Sequence, residues 1–467
     1  MEDIRRRSVS EYLAPLAATA FGLLFGSWRG DTYSMWVDEG FTYWTAKLPL
    51  GSLIDVLSSR EANMGPYYLL MWVWIRIGDS DVWIRGLSAL ATVAAVWGIW
   101  AVVRRWSGPL AAGLAAGVFV LTPFVLGWSI QARGYSMAMA LTAWALVFAD
   151  RMGRDRNLWS SVAFGVMVGL AVATQLSTVF VFVGVVIAVL ALAPTRQMVG
   201  RLSLAGLIAC VTFAPFAGAV LSNPDQASWI PRLTVRLFMD HTIRAASGPA
   251  WAILIASGWV CLLVAAVRDA RFRPYLIALA GSVTGVAGLA LVSVVVRPMY
   301  VGRYLAGCVP LAVVAAIGGW TWLWPARRRV VAGGVLALSV LTLAVSFDQI
   351  RPAPDGYRAA AAHVTEVARP GDAIVALWDN SLLGLARYLP EGTPTERVIA
   401  SQGEPGRFVI VSADGSPFAT DRLWIVSRDR SPAPELAEWI AQTFPQVVEE
   451  EWFGLIRLQL RAALDRG

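Results

Sequence analysis

The sequence is poor in charge, histidine, cysteine and lysine. Charged residues make up 15% of its 467 residues, whereas 57% are hydrophobic. A soluble chain of this length needs more charge to keep its surface wetted. The two histidines are His241 and His363, and Cys210, Cys261 and Cys308 sit in apolar blocks without metal-ligand spacing. A Cys/His zinc site is therefore not expected. Lys47 is the single lysine, so arginine carries nearly all the positive charge. No Gly-rich phosphate fingerprint opens a helix near the C-terminus, which argues against nucleotide binding there.

What the chain has in abundance is apolar blocks of bilayer-spanning length. After Arg5-Arg6-Arg7 a first block runs from Tyr12 to Trp28, read as a retained helix rather than a cleaved signal because further spans follow. Others run over 82–103, 109–127, 135–149, 158–174, 177–193, 202–221, 250–267, 274–296, 304–324 and 330–346, giving eleven expected spans. With a cytoplasmic N-terminus, each short inner loop carries arginines, among them Arg104-Arg105, Arg151/Arg154/Arg156 and Arg327-Arg328-Arg329, as the positive-inside rule requires. The outer loop with Arg232, Arg236 and Arg244 runs against it. Pro66–Ile77 is too short to span and rich in Trp and Tyr, so it is expected to lie at the interface or re-enter.

Charge divides the chain in two. Up to Val345 there are 27 Lys and Arg against 15 Asp and Glu; from Asp348 onward there are 12 against 17. The basic part fits arginine-rich inner loops rather than a nucleic-acid partner. The tail has short apolar runs at Ala373–Leu377, Phe408–Val411 and Leu423–Val426, with helix-like stretches near 357–368 and 433–443. The expected architecture is an α-helical polytopic membrane domain over residues 1–347, with a large first outer loop at 29–81, and a small extracytoplasmic α/β domain over 348–467.

That first loop holds seven of the fifteen carboxylates of the membrane part. Asp38 and Glu39 lie in SMWVDEGFTYW, flanked by Trp36, Phe41, Tyr43 and Trp44. Aromatic faces suit sugar rings, and a carboxylate suits proton abstraction from a hydroxyl; a solvated acidic turn beside an aromatic belt is the plainer reading. Arg133, in QARGYS at the outer mouth of the third and fourth spans, suits a phosphate held bidentately, or simple snorkelling to headgroups. Arg303 in VGRYLAG, with Arg297 nearby, falls on the same side, and Arg60 and Arg85 bracket the interfacial segment. Arginines near an acidic pair fit stabilisation of a lipid-phosphate leaving group.

The ordered segments WVDEGFTYW, NMGPYYLLMWVWIRIGDSDVWIRGLSAL, QARGYSMAMAL and GRYLAGCVPL resemble the membrane glycosyltransferases of the GT-C fold. The closest likeness is to the family-39 group of protein O-mannosyltransferases and aminoarabinose transferases. Residues 355–375 also look similar to the tails of bacterial members. The resemblance implies inverting transfer of a sugar, mannose foremost, from a polyprenyl-phosphate donor to a lipid, glycan or protein acceptor at the outer face of the plasma membrane, with a divalent metal optional. It would make Asp38 the general base and Glu39 its support. Arg133, Arg303, Arg60 and Arg85 would bind the donor phosphate, and Tyr67, Tyr68, Tyr135 and Trp36 would line the donor and acceptor groove. The sequence departs from the family in having Met64-Gly65-Pro66 where a double proline is usual, and Gln131 where a Glu is usual; both bear on substrate identity. A transporter or lipid flippase is the alternative, and a scaffold the third reading. Against transport, the membrane carboxylates avoid span centres and no internal repeat is evident.

Overall fold

The computed structural model describes residues 9–30, 33–59, 63–154, 158–222, 229–347, 350, 356–377, 379–390, 393, 398–401, 408–411, 415–428 and 434–464. The chain forms two compact units, one of Met1–Gly30 with Ala46–Ile350, the other of Asp31–Thr45 with Arg351–Gly467. A piece of the loop after the first helix thus clusters with the tail.

The first unit is helical. All eleven stretches read as spans contain helix. Among the described residues five helices are long and apolar enough to cross a membrane, and six if Pro109–Val120 and Pro123–Ser129, bent by 64°, form one span. Leu13–Ser27, Trp159–Thr174, Thr178–Leu192 and Cys308–Trp322 are apolar but shorter. The bend follows from Pro123, which has no N–H to continue the preceding helix. Close packing relies on small residues, as expected where lipid supplies no hydrophobic drive between helices. A side chain at Gly319 would strike the Gly258 carbonyl, so Pro249–Arg268 and Cys308–Trp322 meet backbone to backbone.

The segment between the first helix and Asp81–Ser107 is also helical, with helices at Val37–Lys47, Leu50–Ser59 and Gly65–Trp74. The last holds the short aromatic segment, and its Tyr67 and Tyr68 are buried. Ser80 caps the long helix Asp81–Ser107 by accepting from the Trp83 N–H at 3.2 Å.

The second unit is α/β. Its strands are β1 (Ala373–Ala376), β2 (Val398–Ser401), β3 (Phe408–Val411), β4 (Arg422–Arg428), β5 (Gln446–Phe453) and β6 (Ile456–Ala462). The main sheet has the order β1-β4-β6-β5, parallel between β1 and β4 and antiparallel elsewhere; β2 and β3 form a separate ladder. Alternate residues of β1 and β4 face opposite sides and both sides are covered. Ile374, Trp424 and Val426 pack with Tyr357 and Val364 of the helix Tyr357–Val367. Val375, Leu423 and Ile425 pack with Ile440 and Phe444, at and just beyond the helix Pro434–Thr443.

Candidate active site

The acidic pair opens the helix Val37–Lys47, and the two carboxylates have different surroundings. Glu39 is fully buried, and its Oε2 lies 3.4 Å from the Trp36 N–H. This is the geometry by which a third-position glutamate reaches back to the residue before its helix. Asp38 is half-buried, and its carbonyl accepts from the Thr42 hydroxyl at 2.9 Å. Both acids also lie where the helix N-terminus favours negative charge.

Contacts from the tail hold this segment from several directions. The Tyr388 hydroxyl is 2.8 Å from the Met35 N–H, and the Trp44 indole N–H donates to the Leu383 carbonyl at 2.9 Å. Arg387 stacks 4.3 Å over the Tyr43 ring and donates to its hydroxyl at 3.2 Å. The Arg358 N–H donates to Ser34 Oγ at 3.0 Å, and Val37 packs on the Tyr357 core. Gly40 meets the helix Asp379–Ala386 so closely that an added Cβ would lie 3.1 Å from the Gly384 nitrogen. The glycine of WVDEG is thus a point of close backbone approach.

The first unit gathers the other motifs. Arg133 is buried and donates to the Tyr68 hydroxyl at 3.1 Å. Its carbonyl accepts from Ser88 at 3.1 Å, and Ser88 in turn lies 2.8 Å from the Tyr67 hydroxyl. Because the Ser88 proton goes to Arg133, Tyr67 donates to Ser88. Arg85, on the same helix and 1% exposed, lies one turn before Ser88. Tyr135 packs on Trp128 with ring centroids 4.2 Å apart.

Arg303 is half-buried over Trp229, 4.9 Å from the ring centre. A short polar stretch between two middle helices links it to the Arg133 turn. Gln175 donates to the Arg303 carbonyl at 3.1 Å and Ser177 to the Tyr304 carbonyl at 2.6 Å. Thr174 abuts Gly134, where a Cβ would come within 3.1 Å of its methyl group. Sequence reasoning missed Gln175 and Ser177, whose signal is the polar run TQLST between two apolar helices, and Ser88, a lone serine inside the long helix Asp81–Ser107.

The Met64-Gly65-Pro66 departure has a structural account. Met64 adopts φ +69°, a left-handed conformation that costs a non-glycine residue on the order of 1 kcal/mol or more. Its sulfur accepts from the Gly134 N–H at 3.4 Å, and a side chain at Gly65 would collide with Phe216. Trp36, Asp38 and Glu39 belong to the second unit, and Arg60 lies outside the described residues.

The helix Val235–Ala245 packs on the Arg303 turn through the His241 carbonyl, which an added Cβ at Gly302 would meet at 2.9 Å. Partial burial lowers the His241 pKa; Asp240 opposes the shift, while Arg244 and Arg303 add to it. Burial pushes the Tyr300 hydroxyl up to about 12, opposed by its 2.7 Å hydrogen bond with Thr242.

Beside this network lies an apolar groove of about 310 Å³, bounded by Tyr67, Leu87, Leu90, Met137, Leu141 and Trp144.

The family described as dolichyl-phosphate-mannose-protein mannosyltransferase matches residues 64–219, which include the Tyr67-Tyr68 and QARGYS segments. Curated protein sequences give no match. Among solved structures, ArnT from Cupriavidus metallidurans bound to undecaprenyl phosphate is similar at TM-score 0.66 and 15% identity, covering 97% of this chain and 98% of that one. The oligosaccharyltransferase of Archaeoglobus fulgidus is similar at TM-score 0.51 and 13% identity, over 84% of this chain and 65% of that one. With its apolar helices and small C-terminal sheet, the chain is a multi-pass membrane protein of the GT-C fold, as its motifs suggested.

Proposed function

We propose that this protein is an inverting glycosyltransferase that uses a polyprenyl-phosphate sugar at the outer face of the plasma membrane. One observation carries the reading: the buried Arg133, whose guanidinium donates to the Tyr68 hydroxyl, is tied through its backbone carbonyl to Ser88 and so to Tyr67, which lines an apolar groove. A phosphate on an isoprenoid tail needs that pairing of a fixed cation with an apolar channel. Undecaprenyl phosphate bound to the structurally similar ArnT supports this donor class, and the matched family's description names mannose.

In the proposed reaction Asp38 takes the proton of the acceptor hydroxyl. The oxygen then attacks the anomeric carbon as the carbon–oxygen bond to phosphate breaks, and polyprenyl phosphate leaves with the bonding pair. Arg133, Arg303, Arg85 and Arg60 stabilise the charge that develops on the phosphate. Glu39 keeps the first helical turn intact, and Tyr67, Tyr68, Tyr135 and Trp36 line the path of sugar and lipid. The division of labour rests on exposure: Asp38 is half-open, whereas Glu39 is sealed. No step requires a metal.

The test uses detergent-solubilised protein and radiolabelled polyprenyl-phosphate mannose. Asp38→Asn is expected to abolish transfer while leaving the melting temperature unchanged; retained turnover rejects Asp38 as the base. Vectorial movement of the lipid in proteoliposomes without a covalent product would reject the enzyme reading altogether.

A further inference from the structure

His363, Glu449 and Glu451 converge at a place with no part in the proposed transfer. One ligand-capable atom from each lies within 4.8 Å of the others. His363 stands on the helix Tyr357–Val367, between the rings of Phe453 and Trp424, whose centroids are 5.6 and 6.1 Å from its own. The two glutamates lie on β5, the last strand of the sheet.

Their placement is unusual for carboxylates. Glu449 pairs with Leu460 and Glu451 with Leu458, and both leucines are 1% exposed in the Tyr357 core. Directly paired residues share a face, so both acids stand on the core side of the sheet. A bulge between Val447 and Glu449 sets this register. Glu450, pointing the other way, is already matched by Arg457 at 2.8 Å and by Gln459 at 2.6 Å. Among the described residues no arginine pairs with Glu449 or Glu451.

The imidazole is aimed in a particular way. His363 Nε2 is 3.0 Å from Glu449 Oε1, and its Nδ1 is 3.9 Å from Glu451 Oε2, yet the buried Nε2 makes no hydrogen bond of acceptable geometry. Close approach without donor alignment is what two atoms show when they point at a shared third atom. Inward-facing charge on an edge strand also discourages strand addition, but that role needs neither the histidine nor its orientation.

The geometry points to a divalent-cation site of the zinc class, held by His363, Glu449 and Glu451 and completed by water. One imidazole nitrogen with two carboxylates suits Zn²⁺, whereas Ca²⁺ and Mg²⁺ favour all-oxygen sets. A neutral imidazole leaves two negative charges for the cation to balance. Bonds of about 2.0–2.2 Å bring ligand atoms to about 3–3.5 Å of one another, a small side-chain adjustment from the observed spacing. The ion would brace the helix against β5, stabilising the folded domain because only that state assembles the site.

The experiment uses full-length protein in detergent, stripped with chelator and titrated with Zn²⁺, with Co²⁺ as a spectroscopic probe. One equivalent of Zn²⁺ should bind and raise the melting temperature, and Co²⁺ should give a d–d absorption band. His363→Ala and Glu451→Gln should each weaken binding by at least ~10-fold. Glu451 is half exposed, so its glutamine variant should fold normally by circular dichroism even if His363→Ala does not. No cobalt band at millimolar metal, or equal binding by wild type and Glu451→Gln, overturns the site.

Discussion

The two units hold their candidate side chains by different means. In the helical unit, Arg133 is positioned by a relay of hydrogen bonds with Tyr68 and Ser88, and through Ser88 with Tyr67. In the α/β unit, the helix bearing Asp38 is held by close backbone packing, with Gly40 against Gly384 and Val37 in the core, together with contacts of Tyr388, Arg387 and Leu383 to the segment around it. A polar relay loses its members one at a time, each for about 1–3 kcal/mol when a buried group is left unpaired. A close-packed seam has less tolerance, because an added atom displaces a backbone.

The largest expected effect therefore comes from filling the seam. In Gly384→Leu the first added carbon would sit 2.5 Å from the Tyr357 ring, which is fully buried. We expect the α/β unit to lose about 1–3 kcal/mol and transfer to fall at least ~100-fold through misplacement of Asp38. Limited proteolysis read separately for each unit, beside a transfer assay, checks this; unchanged transfer would show that the seam does not position the base.

Next comes the relay's charged member. Arg133→Lys keeps the charge but loses the planar fork, and transfer should drop by ~10–100-fold with the melting temperature nearly unchanged. A wild-type rate would remove Arg133 from the donor site. Ser88→Ala should be milder, at about 1–3 kcal/mol of stability, because it strands both the Tyr67 hydroxyl and the Arg133 carbonyl. Thermal unfolding of Ser88→Ala and Tyr67→Phe, alone and together, shows whether the relay is cooperative; strict additivity would deny it.

The smallest effect is a pH dependence confined to the helical unit. His241 has a folded pKa below its ordinary 6.5, so the unfolded chain takes up the proton more readily. Its contribution is present above about pH 6.5 and is lost as pH falls below that value. Comparing wild type with His241→Gln at about pH 7.5 and 5.5 should show a slightly steeper acid loss for wild type. An identical slope in both would place the acid sensitivity elsewhere.

Much of this was legible because the local signals were strong. Arginines and apolar blocks located the helices, and the runs at Ala373–Leu377, Phe408–Val411 and Leu423–Val426 marked β1, β3 and β4. The hairpin of β5 and β6 was not foreseen, because QVVEEEWF is mostly exposed and its bulge breaks alternation. Nothing local could show that the acidic helix packs with the tail, since its partners lie 339 to 353 positions away. The same holds for His363 and Glu449, whose closeness depends on the helix and edge strand being neighbours.

That separation along the chain has a consequence during synthesis. The helix carrying Asp38 is made early, before most of the membrane helices, while Leu383, Gly384 and Tyr388 emerge only after them. Until Leu383 and Gly384 have been made, Gly40 has no surface to rest on. A truncated or stalled chain would thus hold its acidic residues without the platform that orients them. On the proposed reading, Asp38 could act as a base only after residues 383–388 have been made.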